Sequence, residues 1–161
     1  MFGKISFFFA VVMMFGSFCI AASAQDRASV SASEVNGTFR YNFTGKFKGS
    51  SNEIKILALG KGKLKISFDL TYPYLMDDGE IMVNMGFATG IATIEADEAV
   101  YTAVDEYSNE QCEIRIKFVK PGQIKVSQVS SGSVCGFGHR VIADGTYKKI
   151  SSKKPDFDNP N

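Results

Sequence analysis

Leu64, Ile66, Phe68 and Leu70 alternate with Lys63, Lys65, Ser67 and Asp69, and Ile114, Ile116 and Phe118 alternate with Glu113, Arg115 and Lys117. A period of two sends successive side chains to opposite faces, so both runs predict strands with one packed and one wet face. Weaker alternation over Thr38 to Phe43, Glu53 to Leu59, Gly90 to Ala96, Ala99 to Val104, Gln123 to Val129 and Arg140 to Lys149 brings the predicted strands to eight. No helical period competes with them. Turn chemistry separates the runs: Gly60-Lys61-Gly62 permits positive φ, Lys120-Pro121-Gly122-Gln123 places Pro and Gly for a type II turn, and Asp97-Glu98 joins two strands closely.

Sequential hairpins without crossover helices predict an all-β antiparallel meander over residues 34–150, closed into a small barrel or folded as a two-layer sandwich. A flat sheet of eight strands leaves an apolar face open and two edges unpaired, and closure removes both. Gly37-Thr38-Phe39 and Gly145-Thr146-Tyr147 match, which places the first and last strands side by side at the seam. The predicted interior holds small residues (Ala58, Gly90, Ala92, Ala96) and large ones (Phe39, Phe68, Tyr101, Phe118). Dense packing predicts that the large ones fill it, and a partial cavity for a small apolar ligand is the alternative.

The first 24 residues stand apart. Lys4 precedes an apolar run from Ile5 to Ile20, and Ala22-Ser23-Ala24 offers the small residues of a cleavage site, so residues 1–24 read as a signal peptide with the mature chain starting at Gln25. The run is too short and too interrupted, at Gly16 and Ser17, for a membrane span, which needs about 20 consecutive apolar residues. Without the leader the charges balance at 17 basic and 17 acidic residues. That balance gives no reason to expect a nucleic-acid partner. Residues 25–33, rich in Ser and Ala, and 151–161, with Lys, Pro, Asp and Asn around a lone Phe157, are predicted to be flexible tails. Export puts the chain in the periplasm or outside the cell, and there the pair Cys112 and Cys135 predicts a disulfide.

Catalytic chemistry is sparse. His139 is the single histidine, in Cys135-Gly136-Phe137-Gly138-His139-Arg140, with Asp144 nearby, but no nucleophile motif accompanies it. Asp77, Asp78 and Glu80 lack the spacing of a calcium loop and read as a solvated hairpin tip. No catalytic residue, metal site or cofactor is assigned. Gly136, Phe137, Gly138, His139 and Arg140 form the candidate binding patch: the glycines allow close backbone approach, Phe137 supplies an anchor and Arg140 pairs with an acidic cleft.

The frame Gly90-Ile91-Ala92-Thr93-Ile94, Asp97-Glu98-Ala99-Val100-Tyr101, Cys112-Glu113-Ile114-Arg115-Ile116-Lys117-Phe118, Cys135-Gly136-Phe137-Gly138 and Asp144-Gly145-Thr146-Tyr147 resembles the disulfide-bearing β domains of exported bacterial proteins grouped with the lysozyme inhibitors. The resemblance spans about residues 86 to 149. It implies an eight-stranded barrel that binds a protein partner such as lysozyme through its loops. The expected function is therefore an exported binding protein, with a carrier of a small apolar ligand and an enzyme as alternatives.

Overall fold

The computed structural model describes residues 29–105 and 108–157. The predicted signal peptide, residues 1–24, and its predicted cleavage site lie outside them. Eight strands follow in order: β1 (Gly37–Asn42), β2 (Ser51–Gly60), β3 (Lys63–Leu75), β4 (Ile81–Glu95), β5 (Glu98–Val104), β6 (Gln111–Lys120), β7 (Gln123–Gln128) and β8 (Gly145–Ser151). Each pairs antiparallel with the next, and β1 also pairs with β8, so the ladder closes on itself. Among the described residues no helix is long and apolar enough to cross a membrane.

Alternation decides what goes inside. Leu64, Ile66, Phe68 and Leu70 of β3 are buried, as are Cys112, Ile114, Ile116 and Phe118 of β6, while the intervening residues point outward. Each such side chain contributes about 1.5–3 kcal/mol by leaving water. Aromatic rings meet edge to face across the interior, Phe39 with Phe118 at 6.5 Å and Phe68 with Tyr101 at 5.2 Å between centroids. All four expected large residues are therefore core. Of the small ones Ala92 is buried, Ala58 and Gly90 are half-buried, and Ala96 departs from expectation: it is exposed at φ +52° in the turn between β4 and β5.

Both ends of the ring are closed by chain outside the strands. At one end a short helix, α1 (Ala32–Val35), buries Val35. Ser31 caps it in a reciprocal box with Glu34. Lys149 donates from Nζ to the carbonyls of Ser33, Glu34 and Asn36 at 2.6–2.9 Å, tying β8 to that helix. Residues 31–33 thus belong to the fold, although they were read as tail. At the other end the 16 residues between β7 and β8 fold inward as a cap that buries Cys135, Phe137, Val141 and Ala143.

Three strand boundaries differ from the sequence reading by five residues or more. β8 begins at Gly145, because residues 140–144 belong to the cap. The seam is antiparallel and bulged, pairing Thr38 with Ser151 and Arg40 with Lys148, so the two matching Gly-Thr-aromatic starts lie side by side in strand order but at opposite ends. β3 continues five residues past Leu70, and β4 starts nine residues before Gly90. Those extensions carry apolar groups on both faces, so no polar alternation marks them.

Candidate binding surface

The extensions of β3 and β4 leave the ring together. β2 pairs with β3 only as far as Glu53 with Asp69, and β5 pairs with β4 only from Ala92 to Glu95. Thr71–Leu75 and Ile81–Met85 consequently have no other strand as ladder partner and form a two-stranded arm. Pro73 is tolerated within β3 because only β4 lies beside it there. The tip is a turn at Met76–Glu80: Met76 N–H donates to the Glu80 carbonyl at 2.9 Å, Gly79 takes φ +87°, and the Asp78 carboxylate accepts from Glu80 N–H at 3.0 Å. Asp77, Asp78 and Glu80 are thus the solvated hairpin tip expected from the sequence. Among the described residues no three His, Cys, Asp or Glu side chains converge as metal ligands.

Directly opposed residues share a face. Ile81, Val83, Met85, Phe87 and Ile91 therefore line the outer face of β4, each 43–52% exposed. Tyr72, Tyr74 and Met82 line the other face of the arm, the two tyrosines stacked at 6.5 Å. Leu75 and Met76 extend the exposed apolar residues to the tip, so they form a cluster and not the singly scattered apolar residues that are ordinary on a surface. An isolated hairpin is marginal in water, so this arm depends on its root.

That root is held by the cap. Cys135 is bonded to Cys112 of β6, as expected, with a sequence separation of 23. Gly138 N–H donates to the Met85 carbonyl at 3.2 Å, Asn84 Nδ2 donates to the His139 carbonyl at 2.8 Å, and Phe137 bridges to Gly86. The approach is close enough that a Cβ on Gly138 would overlap the Met85 carbonyl oxygen, and one on Gly86 would lie 2.9 Å from Phe137 Cβ and Val141 Cγ1.

The five residues of the predicted patch divide. Phe137 is 6% exposed and packs on Phe68 at 6.0 Å, so it serves the core and not a partner. Gly138 provides close approach, but to Met85 within the molecule. Gly136, His139 and Arg140 remain exposed, Arg140 at φ +62°, next to the arm root. Asp144 turns its carboxylate to Gln128 N–H at 2.6 Å, capping the end of β7. The exposed apolar row that sequence reading missed is Val83, Met85 and Phe87; its signal is an apolar period of two from Ile81 to Phe87, hidden because Met82 and Gly86 interrupt the polar half.

No family model matches the chain, and no curated protein or solved structure matches it significantly.

Proposed function

We propose that this is an exported binding protein in which a closed eight-stranded barrel presents the β3–β4 arm and the adjoining cap apex to a folded protein partner. The carrying observation is the unpaired arm, with Ile81, Val83, Met85 and Phe87 exposed along one face. A projecting arm is convex, so its partner is concave. Acidic groups at the tip and Arg140 at the root set the register: the partner carries basic groups deep in its hollow and a carboxylate at the rim. Lysozyme is the partner class that the sequence resemblance supplies. The interior is less suited to an apolar ligand, because Phe39, Phe68, Tyr101, Phe118 and Phe137 occupy it.

The test is inhibition of a panel of lysozymes at near-stoichiometric ratio. Met85→Glu and Arg140→Ala are each expected to weaken inhibition at least tenfold while leaving thermal unfolding unchanged, since both positions are exposed. Absence of inhibition and of complex formation with every lysozyme would refute that partner. A dimer in sedimentation equilibrium that Met85→Glu dissociates would instead assign the arm to self-association.

A further inference from the structure

Ser151 ends β8, yet residues 152–157 turn back over the outer face of β2 and β3. Pro155 is buried, Lys55 Nζ donates to the Asp156 carbonyl at 3.1 Å, and Lys65 Nζ sits 4.6 Å from the centre of the Phe157 ring. This segment was expected to be a flexible tail; its Phe157 is instead one wall of a pocket of about 270 Å³. The floor is two rows of outward side chains, Glu53–Asp69–Phe87 and Lys55–Ser67–Thr89, each row set by the strand register.

The pocket is polar below and aromatic at two sides. Arg40 neutralises Glu53 through a hydrogen-bonded ion pair. Thr89 Oγ1 donates to Ser67 Oγ at 3.1 Å. Asp69 makes no hydrogen bond or ion pair with any described residue, although it lies between Glu53 and Phe87 in the row. Burial, and then the neighbouring Glu53, push its carboxyl above the usual aspartate range, while Lys55 pulls the other way. Opposite charges thus face the space in near balance, with donors (Lys55, Ser67, Thr89) and acceptors (Asp69, Glu53) on one floor. A net-charged ligand gains little there.

We infer that this pocket binds a small neutral polyhydroxylated ring, a monosaccharide unit, with Asp69 accepting from its hydroxyls and Phe87 and Phe157 covering its apolar C–H faces. A carboxylate that makes no hydrogen bond to a described residue accepts charge-assisted hydrogen bonds from vicinal hydroxyls, and an aromatic side chain removes the apolar face of such a ring from water. The volume lies just under the range of drug-sized sites, which suits one ring. The site adjoins the arm's face at Phe87, but its polar floor lies on β2, β3 and the later part of β4, and its roof is the chain's own C-terminal segment.

The experiment is an NMR titration of the exported protein with methyl β-D-glucopyranoside, methyl α-D-mannopyranoside and N-acetyl-D-glucosamine, with cyclohexanol and n-butylammonium as controls. Saturable shifts at Ser67, Asp69 and Thr89 with at least one sugar are expected, weakened at least fivefold by Asp69→Asn and by Phe157→Ala. Each variant is first checked for an unchanged spectrum away from the pocket. No saturable shift with any sugar, shifts indifferent to both variants, or tighter binding of cyclohexanol or n-butylammonium than of every sugar would overturn the inference.

Discussion

Tyr147 is buried inside the ring, yet its hydroxyl has partners: it donates to the Ala143 carbonyl at 2.9 Å, and Asn52, also buried, lies beside it and accepts from Thr71 N–H at 2.7 Å. Burial pushes the phenol well above the ordinary tyrosine range, the Asn52 contact opposing and the charge of Asp144 adding to the rise. An unfolded tyrosine loses its proton near pH 10 while the folded one keeps it, so the folded state binds more protons above that pH and stability falls as pH rises. Tyr147→Phe is expected to cost about 1 kcal/mol at neutral pH and to flatten the alkaline limb of the unfolding curve, measured by urea titration at several pH values. Asp69 shifts in the same direction from a lower start. Its folded carboxyl holds a proton that the unfolded one has released, so its ionisation subtracts stability as pH climbs through the weakly acidic range. Asp69→Asn should therefore raise the melting temperature at pH 7 and leave it unchanged at pH 3, and a lower melting temperature at pH 7 would contradict the burial argument.

The cap shows how far elements were readable from residues. Cys112 and Cys135 pair as parity and compartment suggested, and every predicted strand contains the centre of an observed one except Gly90 to Ala96, because β4 begins at Ile81 and centres on Ala88; the last predicted span contains the centre of β8 but begins in the cap. Arg140 to Asp144 alternates like a strand because Val141 and Ala143 do face inward, but they do so from a loop, and periodicity does not distinguish the two. Phe137 was legible as an apolar residue among glycines; that it points inward depends on the disulfide and on the bridge to Gly86, which are contacts distant in sequence. The arm was missed for the converse reason: with both faces apolar it lacks the contrast on which strand reading depends. Gly138→Ala, which forces the cap away from Met85, is expected to cost about 1–3 kcal/mol in equilibrium unfolding. Removing the disulfide with Cys112→Ser and Cys135→Ser together should cost about 3 kcal/mol by chain entropy. Hydrogen exchange should place the greatest loss of protection at residues 132–141.

For the molecule as a whole, the ring and the arm are separable. The arm pairs only with itself beyond Thr71 and Met85, whereas the ring closes through β1 and β8, more than 100 residues apart in sequence. Replacing Tyr74–Met82 with Asn-Gly, a two-residue turn suited to hairpins, is expected to leave circular dichroism and thermal unfolding near those of the parent while abolishing partner binding. A collapse of the fold on that replacement would show that the arm is part of the structural unit. The seam has a geometric consequence. Thr38 faces Ser151, so the polypeptide enters and leaves the ring at one pole, while the hairpin tip projects from the other. A tether attached ahead of α1, to a bead, a fluorophore or a membrane, accordingly orients the molecule with its acidic fingertip facing away from the anchor and free to probe whatever lies opposite, whereas residues 152–157 double back along β2 and β3 and carry the other end of the chain to the side of the ring.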